Sequence, residues 1–119
     1  MRLNVTSTLL HFNILIIRCQ HLHLTYLAQK INKPILYPLY NFNLAHYTNS
    51  YDKNLVYEAF GIINHTGNLY GGHYYSYCKF RDDEKWYEFN DAMITPLNED
   101  NINLNYTYII FYRLVEKKL

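Results

Sequence analysis

Four runs of branched and aromatic residues fill the second half of the chain: Val56–Asn64, His73–Phe80, Trp86–Phe89 and Tyr106–Arg113. Ring-bearing and β-branched side chains pack well on a pleated surface and lose rotamer freedom in a helix, so each run predicts a strand. Between the second and third, Arg81-Asp82-Asp83-Glu84-Lys85 is wholly charged and predicts the solvated tip of a hairpin. Upstream, Ile14, Leu15, Ile16 and Ile17 form an unbroken apolar run within Asn13–Cys19, the pattern of a central strand buried on both faces. Pro34 and Pro38 punctuate a short extended piece and assign it to an edge, because proline supplies no amide to a ladder. Residues 43–54, rich in Asn, Ser, Thr and Asp, read as a loop. Ala92–Asn103 reads as a connection in which Glu99-Asp100 could start one short helix. With 119 residues there is room for one domain. The expected class is α+β, dominated by an antiparallel sheet of about five or six strands.

Composition excludes several kinds of protein. Half the residues are apolar, only 18% are charged, and Gly and Pro number four and three, so the chain is neither disordered nor collagen-like. Eleven basic against ten acidic residues leave a net charge of +1, which does not suit a protein that neutralises a nucleic-acid backbone; no nucleic-acid partner is expected. The apolar stretch Leu9–Ile17 is interrupted by His11 and Asn13 and no small-residue cleavage site follows it, so no leader is expected. No run approaches the length a membrane helix needs, and no membrane partner is expected. Cys19 and Cys78 form neither a disulfide framework nor a metal-type spacing, which points to a reducing, intracellular setting, cytoplasmic or nuclear.

The chemistry concentrates around a double glycine. His65–Gly72 holds three of the four glycines and predicts a loop of unusual shape, and His73 follows it directly. If the hairpin tip lies near Asp82, His73 and Asn90 or Asp91 stand at similar distances from it on the two arms, so strand pairing brings them side by side. An imidazole beside a carboxamide or carboxylate is part of a nucleophile-base-orienter arrangement, and equally it can be a satisfied structural histidine. Neither cysteine supplies the nucleophile. Alternation puts His73, Tyr75 and Tyr77 on one face and Tyr74, Ser76 and Cys78 on the other, while Cys19 lacks the helix N-terminus or glycine turn that would acidify a thiol. His11, His21, His23, His46 and His65 read as loop or surface residues. His21 and His23 could share a strand face, yet no third ligand lies nearby, so no metal and no cofactor is expected.

These residues carry a resemblance. Tyr57-Glu58-Ala59-Phe60-Gly61-Ile62-Ile63-Asn64-His65-Thr66-Gly67-Asn68-Leu69-Tyr70-Gly71-Gly72-His73-Tyr74 resembles the histidine box of the ubiquitin-specific proteases, the papain-like cysteine deubiquitinases. Lys85-Trp86-Tyr87-Glu88-Phe89-Asn90-Asp91 is similar to the segment that follows it in that family, and Tyr108–Arg113 to the closing strand. Ile14–Arg18 resembles an earlier apolar strand of the family, and Tyr37-Pro38-Leu39 with Leu44 and Tyr47 resembles its Phe-Pro-x-x-Leu stretch more loosely. The resemblance implies that His73 is the general base that keeps a cysteine as thiolate, that Asn90 orients its ring, and that Asp91 gives a second polar support. Asn in place of Asp at position 90 is an accepted form. Gly71, Gly72 and Tyr74 are implied contacts for the Gly-Gly tail of ubiquitin, glycine suiting a place where a peptide passes close to backbone. Ubiquitin or ubiquitinated proteins are the implied partners.

The chain also departs from the family's pattern. It has no counterpart of the Gly-Asn-Thr-Cys stretch that bears the nucleophile, Arg18-Cys19-Gln20 stands where Lys-Arg-Phe is usual, and Met1–Phe12 matches nothing in the family. The expected organisation is an unassigned segment at 1–12, a partial catalytic domain at 13–114, the C-terminal, palm-like part of the papain-like fold, and a tail at 115–119. Such a piece is expected to be inactive alone, with the missing N-terminal half as a partner. A catalytically dead ubiquitin-binding module and a non-functional gene-model fragment stay open as alternatives.

Overall fold

The computed structural model describes residues 13–18, 37–44, 55–68 and 70–115. Seven strands among these form one antiparallel sheet: β1 (Ile14–Arg18), β2 (Phe42–Asn43), β3 (Val56–Asn68), β4 (Gly71–Lys79), β5 (Trp86–Asn90), β6 (Met93–Leu97) and β7 (Thr107–Leu114). The spatial order is β1-β7-β3-β4-β5-β6, with β2 paired to β3 off that path. The 3-10 turn Glu99–Asn101 opens on Asn98, whose side chain accepts a bond from the Asp100 amide. No α-helix occurs among the described residues.

The core is built on one face of the sheet. Ile62 stands level with Ile110 on one side and Tyr77 on the other, and Ala59 with Tyr112. Phe42 lays its ring 4.8 Å from that of Tyr112, and Tyr57, Leu44 and Trp86 complete the buried set. The segment 37–44 packs onto these residues and satisfies their polar tips. The Tyr112 hydroxyl donates to the Pro38 carbonyl at 2.9 Å, and the Trp86 indole N–H donates to the Tyr40 hydroxyl at 3.2 Å. Between β3 and β7 the cross-strand pair Glu58 and Arg113 forms an ion pair of 2.8 Å.

Several expectations are corrected. Among the described residues the Ile14–Ile17 run forms an edge strand, paired to β7 alone, and leaves Ile14 and Ile16 half exposed. An unbroken apolar run has no period, so it cannot say whether the far face is covered. Ala92–Asn103 contributes a strand, β6, before its short helical turn; Pro96 is tolerated there because β6 is the opposite edge and no partner asks for the missing amide. The glycine stretch is not an irregular loop. Strand pairing runs through it, Thr66 with His73, Gly67 with Gly72 and Asn68 with Gly71, and Tyr70 lies in the turn beyond. The Asn68 side chain accepts bonds from the Tyr70 and Gly71 amides and shapes that turn. His65, read as a loop or surface residue, is therefore a buried residue of β3. Cys19, His11, His21, His23, His46, Pro34 and residues 45–54 lie outside the described residues.

Candidate active site

The β4–β5 hairpin sets the site. Its register pairs Lys79 with Trp86, Cys78 with Tyr87, Tyr77 with Glu88 and Ser76 with Phe89. Asp83 fastens the charged tip, accepting from the Lys85 amide at 2.9 Å and from the Tyr87 hydroxyl at 2.7 Å. Those two bonds, the backbone one first, hold the Asp83 carboxyl below the usual carboxylate range, and the same carboxylate pushes the Tyr87 phenol up.

Counted onward from Ser76 and Phe89, Tyr75 stands level with Asn90, and His73 lies two residues further along β4 on the same face. The pair thus meets on the diagonal, with Nε2 of His73 2.7 Å from Oδ1 of Asn90. An amide oxygen can only accept, so Nε2 carries the proton and Nδ1 is left as the basic nitrogen. That is the tautomer a general base needs if its proton donor approaches from the Nδ1 side.

Asp91 does not join this bond. It occupies the two-residue turn between β5 and β6 in a left-handed conformation, φ +52°, and is exposed, with no hydrogen bond to His73 among the described residues. Tyr74 alternates to the opposite face of β4. Its ring lies 4.5 Å from that of His65 and 6.1 Å from that of Tyr108.

The glycines divide by cause. A Cβ on Gly72 would collide with the His65 ring and the Thr66 carbonyl, so internal packing already excludes a side chain there. A Cβ on Gly71 would meet nothing within 4 Å, leaving its surface open to a ligand. Gly67, at φ +107°, holds a conformation that other residues rarely adopt.

Cys78 lies opposite Gly61 and Tyr87, on the face turned away from His73. Two tyrosines that the residue pattern did not single out continue the face of the imidazole along β4. The Tyr75 ring is stacked on His73 with centroids 6.2 Å apart, and Tyr77 follows it along the strand. Burial raises both phenols, Tyr77 to about 12. Alternation had already put both tyrosines on the face of His73, which was the available signal.

Residues 12–112 match the ubiquitin carboxyl-terminal hydrolase family. Ubiquitin carboxyl-terminal hydrolase 9 of Arabidopsis thaliana is 37% identical over 94 residues, covering 78% of this chain and 10% of that protein. Ubiquitin carboxyl-terminal hydrolase 2 of Gallus gallus is 31% identical over 87 residues, 73% of this chain and 24% of that protein. Among solved structures, the Ubp8–Sgf11–Sus1–Sgf73 SAGA DUB module bound to monoubiquitin aligns with a TM-score of 0.78 at 24% identity, over 89% of this chain and 24% of that one. The chain therefore spans between 10% and 24% of these relatives.

Proposed function

Because the chain belongs to the ubiquitin carboxyl-terminal hydrolase family, we propose that it carries the histidine side of a cysteine-type deubiquitinase site. In this reading residues 13–114 are the palm-like part of the catalytic domain, and the nucleophile lies outside these 119 residues. The bond from Nε2 of His73 to Asn90 is the observation that carries it, since it leaves Nδ1 free to serve a thiol. Nδ1 takes the Sγ proton, and the thiolate attacks the carbonyl carbon of ubiquitin's terminal glycine. The imidazolium returns that proton to the leaving amine as the C–N bond breaks. Water activated by the same nitrogen then hydrolyses the thioester. Asn90 orients the ring throughout, and Asp91 lends polar support at the turn. Gly71, Gly72 and Tyr74 line the path of the Gly-Gly tail, a role for which the open surface at Gly71 speaks most directly.

The purified 119-residue chain is expected not to turn over a ubiquitin-fluorophore substrate. Completed by a cysteine-bearing N-terminal half, it is expected to do so, and His73→Ala to abolish the activity. Turnover by the chain alone that is lost with His73→Ala would overturn the external nucleophile. Activity of the completed enzyme that survives His73→Ala would overturn the base.

A second reading, ubiquitin binding without turnover, is favoured by the exposed rings of Tyr70 and Tyr74 beside the glycine hairpin. Saturable binding that weakens when the Gly-Gly tail is removed, with no activity in the completed enzyme, would select it.

A further inference from the structure

We propose that Tyr75 is a positioning residue for His73, its ring holding the imidazole in the plane and tautomer that the bond to Asn90 requires. This inference rests on His73 being the base of the reading above. Tyr75 is one alternation from His73 along β4, so both side chains rise from the same face. Their planes are 15° from parallel with centroids 6.2 Å apart, an offset stack. Counted onward from the Ser76–Phe89 pair, Tyr75 also occupies the β4 position level with Asn90, whose carboxamide reaches Nε2 on the diagonal. The side chain at position 75 therefore bounds both partners of that bond.

The tyrosine ring is itself fixed. Its edge meets Tyr77 at 5.8 Å and 71°. Tyr77 is buried in the core and backs the Tyr75 ring from that end. Across β3, Tyr75 pairs with the buried Asn64. Rotation of an imidazole about χ2 is soft, and a half-turn would put Cε1 where Nε2 meets Asn90. A near-parallel ring stacked beside the imidazole hinders that rotation.

Nuclear magnetic resonance of the full chain tests this without ubiquitin or a nucleophile, so its failure is distinct from failure of the turnover assay. The unaltered chain is expected to show His73 as the Nε2–H tautomer, with Overhauser contacts between the ring protons of residues 73 and 75. Tyr75→Phe is expected to preserve the tautomer. Tyr75→Val, a branched residue suited to a half-buried strand, is expected to mix the tautomers and to speed exchange of the Nε2 proton by roughly two- to tenfold, the worth of one aromatic contact. The inference is overturned if Tyr75→Val leaves tautomer and exchange unchanged, or if Tyr75→Phe disturbs them as much as Tyr75→Val does. Should neither variant fold, the unaltered chain decides: ring–ring contacts with a single tautomer support the inference, and their absence overturns it.

Discussion

Oδ1 of Asn90 sits 2.7 Å from Nε2 of His73, although Asn90 is level with Tyr75 and reaches the imidazole only along the diagonal of the β4–β5 pair. Diagonal neighbours on a sheet are farther apart than direct ones, and a carboxamide and an imidazole are long enough to close the gap. The geometry also explains why Asn90 ends its strand. The turn at Asp91 and Ala92 follows at once, and the orienting amide is held by its pairing with Met93 of β6 and, one residue back, by the pairing of Phe89 with Ser76 of β4.

Removing that amide tests the orienting role. In the completed enzyme Asn90→Ala is expected to lower kcat/KM by at least about 100-fold, because a base of the wrong tautomer loses the contribution of positioned proton transfer. The folded state is expected to change little, since Asn90 is only partly buried. Steady-state kinetics beside a denaturation curve separate the two effects; equal losses in both would make Asn90 a structural residue.

The two glycines before His73 are expected to behave differently. Gly72→Ala forces a Cβ against the His65 ring and the Thr66 carbonyl, and the crowding should cost about 1–3 kcal/mol in chemical denaturation. Gly71→Ala meets no atom of the chain and is expected to leave stability within about 0.5 kcal/mol while weakening contact with the ubiquitin tail. Equal destabilisation by the two substitutions would refute the division.

The strands of the second half were legible because β-branched and aromatic residues crowd them, and counting from a charged hairpin tip brought His73 near Asn90, although the register itself differs from a side-by-side pair: Asn90 is level with Tyr75 and meets His73 on the diagonal. The edge position of β1 was not. Ile14 and Ile16 look like core residues until the neighbour that fails to cover them is known. The glycine segment misled for a related reason: Gly67 and Gly72 are required by close approach between paired strands, which reads in sequence as a flexible loop. Asn64 and His65 are neighbours in β3 and face opposite ways, yet both are buried because both faces are covered there: Asn64 shares the core face with Ile62, and His65 is packed by the Tyr74 ring and by Gly72, which no residue type in β3 announces. Tyr75 shared a face with His73 from the start, but its closeness to the ring is a matter of side-chain geometry.

Alkaline pH should loosen the core through Tyr77. Burial raises its phenol from 10.0 to about 12, so folding favours the neutral form. A raised pKa gives stability that is whole below the unfolded value and is lost as pH rises through the folded one. Stability is therefore expected to fall between about pH 10 and 12, with Tyr57 and Tyr75, also raised by burial, adding to the slope. In a stepwise alkaline titration, Tyr77→Phe should flatten this limb, and an unchanged slope would count against the assignment.

Among the described residues, two buried polar atoms make no hydrogen bond where β3 meets β7: Nδ2 of Asn64 and Oγ1 of Thr107, on residues that pair across the strands. A buried donor or hydroxyl that makes no hydrogen bond forfeits its solvation with no return, which costs on the order of 1–3 kcal/mol. Thr107→Val keeps the branched shape that β7 favours and removes the hydroxyl. It is expected to raise stability by about 1 kcal/mol, read from the denaturant midpoint at unchanged m-value. A loss of similar size would mean that the hydroxyl is bonded in solution, with a bound water as the simplest partner, and a high-resolution crystal structure of the variant would then lack that water.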